Sequence, residues 1–508
     1  MTLHPVARLD ELSEDRATQV QIGEQKILLI RVPQGVRAYQ GDCPHSGAPL
    51  AEGAVCDGKI ICPWHKAAFA VQNGALCEPP ALDALKSYPV QVIEGQVHVG
   101  DVPSEPSRIP LRSDDRTFVV VGAGAAGTAA ASALRDKGFG GRLVLIDREP
   151  AAGYDRTALS KFVLGGKMPA DNTPPLRDPG FWARLRVERV NADVRHVDAA
   201  HRQIELADGT TLAYDQALIA TGAQPKALDV SGANLANVFV LRSKDQARAI
   251  TEVAHKGGRA LIVGDSFIGL ECASALRSLG MEVTVLARHD VPFEKQFGTQ
   301  VGQAVRRLHE HNGVVYRTDA QAQAFVGQER VEAVQLSNGE RMAVDLVIVG
   351  VGVAPVTSLL TGVMRAEDGG IEVDAQLRAA DGLWAVGDIA RFPLAGQPTR
   401  IEHWRLAQQQ GRLAAHNMLG GEAPFADVPF FWTLHFGKRL DYLGHASQWQ
   451  ETHIDGDLDG FTFVALLINQ EAVVAVVACQ RQALMALLAE RMRRPLSRTE
   501  ALALVAQR

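Results

Sequence analysis

The sequence predicts a multidomain protein: a small antiparallel β domain, two Rossmann-like α/β nucleotide-binding domains and a small α+β C-terminal domain. Three observations predict this order. The text around Gly122 returns around Gly264, 142 positions later in a chain of 508 residues. A stretch carrying Pro103, Pro106 and Pro110 separates those two copies from an N-terminal part made of short strand-like runs. Two long apolar runs and then a helical pattern follow Pro424.

At about 100–200 residues per domain, the length accommodates three or four domains. Hydrophobic residues make up 46% and charged residues 22%, the composition of an ordinary globular protein. Lys and Arg total 52 against 58 Asp and Glu, a net charge of −6, so no basic footprint for a nucleic acid is present. Aromatic residues are 6%, too few for a base-stacking platform. Charges interrupt the first twenty residues, and no apolar run reaches the ~18 residues of a membrane span. Six cysteines are too few for a disulfide scaffold, so a cytoplasmic protein with reduced thiols is expected.

Residues 1–103 read as strands (KILLIRV, KIICPW, VQVIEGQVHVG) separated by turn residues. Residues 104–116 read as a semi-rigid linker. TFVVVGAG, AAGTAAASALRDKG and RLVLID then give strand, tight turn, helix and strand, a βαβ unit. RALIVGDSFIGLECASALRSLGMEVTVLAR repeats it. The expected bounds are 117–225 with 346–423 for the first nucleotide-binding domain and 226–345 for the second. The last domain, 424–508, holds FTFVALLIN, AVVAVVAC and the helical ALMALLAERMRR.

Cys43-Pro-His45 and Cys62-Pro-Trp-His65 put two thiolates and two imidazoles into two loops. Such a set can hold tetrahedral zinc, but zinc fingers usually separate the cysteines from the histidines. One of each per loop suits an asymmetric [2Fe–2S] centre, with two Cys on one iron and two His on the other. The stretches CPHSGAPL and CPWHKAAF resemble the cluster-binding loops of the Rieske family. Respiratory members carry a disulfide between the loops; Ala48 and Trp64 stand there, so the resemblance is to the ferredoxin-type branch. Cys56 and Cys77 match neither loop and read as plain thiols.

Gly122-Ala-Gly124-Ala-Ala-Gly127 follows a strand and opens a helix, as a dinucleotide motif requires, and Asp147 ends the next strand where an acid meets ribose hydroxyls. The second motif, Gly264-Asp-Ser266-Phe-Ile-Gly269, has Ser in place of the middle glycine. Its second strand ends in Ala287-Arg288, where an acid would favour NADH; Arg288 leans the reading towards NADPH.

Further stretches are similar to flavoprotein ferredoxin reductases: YDRTALSK (154–161), IATGA (219–223), LWAVGDIA (383–390), RIEHWRLAQQQG (400–411) and VPFFWTLHFGKRL (428–440). With the N-terminal domain included, the chain resembles the Rieske-containing, apoptosis-inducing-factor-like flavoproteins of the pyridine nucleotide-disulfide oxidoreductase superfamily. The resemblance implies FAD, a [2Fe–2S] cluster and NADH or NADPH. It implies that Gly122, Gly124, Gly127 and Asp147 hold the ADP half of FAD, with Thr221, Gly222 and Asp388 along the rest. It puts Arg156, Lys161 and Trp432 near the flavin, and Gly264, Gly269 and Arg288 on the nicotinamide coenzyme. It further puts Glu271 on Lys161 at the hydride-transfer site, with Glu402 and Trp404 beside the nicotinamide. The cluster ligands are Cys43, His45, Cys62 and His65.

No cysteine lies between Cys77 and Cys272, so dithiol exchange beside the flavin is not expected. After the cluster loops His309 and His311 lie two apart, unlike the spacing expected of an oxygenase iron. The expected function is electron transfer from NAD(P)H through FAD to the fused cluster and on to a redox protein or small-molecule acceptor. Two alternatives stand beside it: a redox sensor in which coenzyme binding changes conformation or association, and a reductase whose Rieske domain serves a partner oxygenase. A homodimer through the C-terminal domain is an expectation by analogy alone.

Overall fold

The computed structural model describes residues 1–507. The N-terminal domain holds three antiparallel sheets. One is built from Thr18–Ile22, Gln25–Val32, Gly35–Gln40 and Ser87–Tyr88, and a second from Ala54–Cys56, Lys59–Ile61, Ala68–Ala70 and Leu76–Glu78. The third pairs Leu3–Arg8 with Gln96–Gly100 and Val90–Ile93. Strand Gln25–Val32 explains its unbroken apolar text. Side chains alternate across a strand, and here both faces are covered. Ile27 and Leu29 enter one core with Val97 and Val99, while Leu28 and Ile30 enter another with Ile60 and Phe69.

Residues 104–116 are less free than a spacer. Ser104 exchanges backbone hydrogen bonds with Ser87, and the Arg112 N–H donates to the Gly138 carbonyl at 2.8 Å. The prolines remove donors from this stretch, and these few backbone bonds tie it to the domains on either side.

The first nucleotide-binding sheet runs Val187–Asn191, Arg142–Asp147, Thr117–Val121, Gln216–Ile219, Leu383–Ala385 and Arg378–Ala380, parallel except at the last pair. Helix Ala125–Asp136 crosses helix Trp404–Met418 closely because the contact is made of Ala and Gly. A Cβ on Gly411 would meet the Ala126 carbonyl at 2.2 Å. The second sheet is all parallel: Val238–Phe239, Leu346–Val349, Arg259–Val263, Glu282–Leu286 and Val314–Arg317. This corrects one expected boundary. Residues from 346 were assigned to the first nucleotide-binding domain, but Leu346–Val349 lies between two strands of the second. The chain leaves that sheet only after its fully apolar strand has been buried there.

The C-terminal domain is a five-stranded antiparallel sheet ordered Phe430–His435, Lys438–Gly444, Ala472–Cys479, Thr462–Asn469 and Glu451–Asp457, with helices Gln482–Arg491 and Arg498–Ala506. Helix Gln482–Arg491 is apolar on two sides. Leu484, Met485 and Leu488 pack on the sheet, and Ala486 and Leu487 pack on Ala54, Cys56, Ile61 and Ala68 of the N-terminal domain. That second face is one of the contacts that dock the N-terminal domain on the rest. Among the described residues no helix is long and apolar enough to cross a membrane.

Candidate functional site

The two Cys/His loops are copies of one backbone design. Cys43 N–H donates to the Ala48 carbonyl and Cys62 N–H to the Ala67 carbonyl, both at 2.8 Å and both five residues on. Each cysteine carbonyl accepts from the N–H four residues on, Gly47 at 2.9 Å and Lys66 at 3.2 Å. Both of those residues are left-handed, with φ of 74° and 62°. The loops bring Cys43 and Cys62 together as buried free thiols. The Nδ1 atoms of His45 and His65 face each other at 3.1 Å. The Cys43 thiol beside it, with backbone N–H groups of His65 and Trp64, pulls Cys62 down to about 7 against the effect of burial. Burial pushes both imidazoles below the ordinary histidine value, His65 most strongly. Two thiols at one corner and two neutral imidazoles converging at the other fit the ligand set of an asymmetric [2Fe–2S] cluster.

At the first dinucleotide motif, Gly122 has φ 102°, and a Cβ there would meet the Ala220 carbonyl at 2.3 Å. A Cβ on Gly127 would lie 1.8 Å from the Gly122 carbonyl. Gly124 differs: nothing lies within 4 Å of its Cβ position, and it starts helix Ala125–Asp136 with no side-chain cap. An uncapped helix N-terminus beside an open glycine fits a pyrophosphate. Asp147 ends its strand, and burial raises its carboxyl above the usual range. Gly222 (φ 67°) brings its Cβ position within 3.0 Å of Arg242 and 3.7 Å of Asp388, and Arg242 pairs with Asp388 at 3.3 Å. Thr221 donates to the Val356 carbonyl at 2.6 Å. Arg156 is held by Glu149 at 2.6 Å and by the Tyr154 hydroxyl at 3.1 Å. The buried Trp404 indole N–H and His403 Nδ1 have no partner, which leaves polar atoms for a bound group. These residues fit FAD.

The second motif is closed where the first is open. Ser266 accepts from the Gly269 N–H at 3.1 Å and so caps helix Phe267–Ser278. Gly264 keeps the turn, with φ 106°. Arg288 is exposed at the strand end. An acid that the sequence reading overlooked stands beside it. Asp265 accepts from the Tyr316 hydroxyl at 3.1 Å and the Arg288 N–H at 3.4 Å.

Lys161 lies in a wide helical turn, Leu159–Val163, and its Nζ meets Glu271 at 3.0 Å with both side chains buried. Wide turns of this kind concentrate at functional sites. Ser160 (2.5 Å) and Thr433 (2.6 Å) also donate to Glu271. Thr433 meets His435 at 2.9 Å, and His435 meets His309 at 3.2 Å. Burial pushes His435 down to about 3, so this chain is neutral. His309 is therefore a buried partner of the Glu271 cluster rather than one of a pair with the exposed His311. Glu402, at the surface, pairs with Arg400 at 2.5 Å, and the protein packed around it raises the carboxyl through partial desolvation.

Trp432 joins the two halves. Lys161 Nζ lies 4.8 Å from the centre of its indole, and the His65 ring lies 5.4 Å from it on the N-terminal domain's side. The domain is seated there by buried charges. Glu78 binds Arg405 at 2.6 Å, Gln409 at 2.8 Å, and Arg493. Arg405 also donates to the Lys66 carbonyl at 3.0 Å and the Pro79 carbonyl at 2.9 Å. The Lys66 ammonium, fully buried, reaches Asp441 of the C-terminal sheet at 2.9 Å. None of these docking residues was singled out from the sequence. One signal was available for Lys66. It stands four residues after its cysteine, where the first loop has Gly47, although a left-handed backbone costs a side-chain-bearing residue roughly 1–2 kcal/mol.

Comparison with known proteins agrees with this geometry. The family described as pyridine nucleotide-disulphide oxidoreductase matches residues 116–411, and the Rieske [2Fe-2S] domain matches residues 2–89. Apoptosis-inducing factor 3 of Homo sapiens is 32% identical over 96% of this chain and 83% of its own length. The ferredoxin–NAD(+) reductase component of the biphenyl dioxygenase system of Paraburkholderia xenovorans is 34% identical over 69% of this chain and 86% of its own. The covalent putidaredoxin reductase–putidaredoxin complex superposes with a TM-score of 0.73 at 26% identity, covering 78% of this chain and 99% of that one. With a Rieske domain docked through His65 on a two-dinucleotide core, the chain is an oxidoreductase that belongs to the pyridine nucleotide-disulphide oxidoreductase family.

Proposed function

We propose that this protein is an NAD(P)H-dependent flavoprotein reductase that passes electrons through FAD to its own [2Fe–2S] cluster and on to a redox protein or small-molecule acceptor. The observation that carries the reading is the row Lys161, Trp432, His65, with steps of 4.8 Å and 5.4 Å between the hydride-transfer pair and a cluster imidazole. The covalent putidaredoxin reductase–putidaredoxin complex among the similar structures supports it, since there a reductase that resembles this chain is joined to putidaredoxin. Tethering raises the partner's effective concentration to the ~mM range.

When bound, FAD takes a hydride as two electrons and the cluster takes electrons singly. The residues supply position and charge. Gly122, Gly124 and Gly127 would admit the pyrophosphate to the helix N-terminus, and Asp147 would meet the adenosine ribose. Thr221, Gly222 and Asp388 would line the ribityl end, with Arg156 fixed at the rim by Glu149. Glu271 aims the Lys161 ammonium through their buried pair; Glu402 and Trp404 would flank the nicotinamide. Cys43 and Cys62 would take one iron, and His45 and His65 the other. Gly264 and Gly269 would seat the coenzyme, with Arg288 on a 2′-phosphate and Asp265 opposing it.

The test is anaerobic titration of the purified protein with NADPH and with NADH, followed by visible and EPR spectroscopy. The reading expects flavin bleaching and then a Rieske signal. Bleached flavin with a permanently silent cluster overturns it. Arg288→Ala is expected to lower kcat/KM for NADPH more than for NADH; an equal loss removes the 2′-phosphate role.

A further inference from the structure

We infer that Lys66 is a positioning residue: an interdomain bolt that holds the His65 loop against Trp432 and thereby sets the rate at which electrons reach the cluster. The inference rests on the electron path proposed above and adds the residue that fixes its geometry.

The backbone gives the first argument. Lys66 occupies the left-handed turn position that the matching loop gives to glycine, with φ of 62° against 74° at Gly47. Left-handed backbone disfavours a side chain, so the lysine is kept for what its side chain reaches. Burial gives the second. A lysine is almost never fully buried unless it is paired, and Lys66 has no exposed surface. Its ammonium is satisfied by the Pro63 carbonyl of its own loop at 2.5 Å and by Asp441 of strand Lys438–Gly444 at 2.9 Å, with the Phe430 ring centre 5.1 Å away. Arg405 of helix Trp404–Met418 holds its carbonyl at 3.0 Å.

Connectivity gives the third. Asp441 also holds Arg439 at 2.7 Å, and Arg439 donates to the Trp64 carbonyl and lies 4.5 Å from the centre of the Trp432 ring. Trp432 faces His65 at 5.4 Å, and His65 is the neighbour of Lys66 in the chain. Lys66, Asp441, Arg439, Trp432 and His65 thus form a closed ring across the domain boundary. A loop released at Lys66 loses the contact at His65. The bolt itself makes and breaks no covalent bond; one electron at a time crosses beside it, supplied by NAD(P)H through the flavin.

The experiment uses full-length protein loaded with FAD and cluster: wild type, Lys66→Gly, Asp441→Asn and the double variant. Glycine suits the left-handed turn, so the loop keeps its fold; Asp441→Asn removes the charge at constant size. Freeze-quench EPR reads the flavin-to-cluster rate, absorbance reads flavin bleaching, and hydrogen exchange reads the backbone at 59–70. The bolt predicts an unchanged Rieske line shape and unchanged bleaching. It also predicts flavin-to-cluster transfer slower by about tenfold or more in each single variant. The double variant is expected to be slowed by less than the product of the two single effects, because the singles share the Lys66–Asp441 contact. Exchange at 59–70 should rise. Transfer within about twofold of wild type in both single variants, with exchange unchanged, overturns the inference. If Lys66→Gly fails to take up the cluster, Asp441→Asn decides by the same two readouts. If the wild-type cluster never accepts flavin electrons, the electron path fails, while exchange still reports whether the bolt holds.

Discussion

The two cluster loops have the same hydrogen-bonded backbone and different surroundings. In the first, Pro44, Ser46 and Gly47 are exposed, and nothing lies within 4 Å of the Cβ position of Gly47. In the second, Pro63, Lys66 and Ala67 are buried, and Lys66 is bound by Asp441 on its ammonium and by Arg405 on its carbonyl. One loop has only to present a cysteine and a histidine. The other presents them and also carries the contact to the reductase. Loop geometry can therefore repeat in a molecule while docking does not, and the proposed electron route follows the docked loop.

Six substitutions test that contrast, from the largest effect down. Cys43→Ser and Cys62→Ser are expected to abolish the Rieske EPR signal and the iron content alike, since the loops are equal as ligand carriers. A normal signal in either variant breaks the two-loop assignment. Glu78→Ala should come next. It leaves Arg405 buried without its counter-charge, a loss of about 3–5 kcal/mol read as a lowered urea midpoint. Asp57→Ala at the same boundary is the control. It meets Arg494 at 3.4 Å with both side chains exposed, so its loss should cost ~1 kcal/mol or less. Equal costs would mean that docking does not depend on the buried network. Trp432→Leu should slow flavin-to-cluster transfer roughly tenfold, about 1.4 kcal/mol on the barrier, by removing the ring between Lys161 and His65. Gly47→Ala should do least. It adds a Cβ in open space at positive φ, costing about 1 kcal/mol of stability and leaving transfer unchanged. A transfer defect there as deep as that of Trp432→Leu would erase the difference between the loops.

The sequence was informative where chemistry is local. Cys43-Pro-His45 and Cys62-Pro-Trp-His65 are legible as candidate ligands because the two residues of each pair are held by one short turn. Gly127 is legible because it faces the Gly122 carbonyl within its own βαβ unit; Gly122 and Gly264 are marked by the motif spacing, although the carbonyls they face, Ala220 and Gly350, come from strands outside it. The Lys161–Glu271 pair was reached only through family resemblance, since 110 positions separate its members. Docking was illegible for the same reason. Glu78 meets Arg405 and Arg493 across 327 and 415 positions, and Lys66 meets Asp441 across 375. Single charges with no periodicity carry no local mark of such partners. The boundary at 346 was misplaced because a fully buried parallel strand reads the same whichever sheet receives it. Asp265 was passed over because the motif position it occupies has no fixed chemistry, and its role depends on Tyr316, 51 positions on.

The central claim is that the cluster receives its electrons from the flavin of the same chain, across the docked His65 loop. An anaerobic single-turnover reaction, freeze-quenched over a series of protein concentrations, tests it most directly. The account predicts a Rieske signal that grows at a rate independent of protein concentration as the flavin is reoxidised. A rate that rises in proportion to concentration would contradict it, because the electron would then be arriving from another molecule.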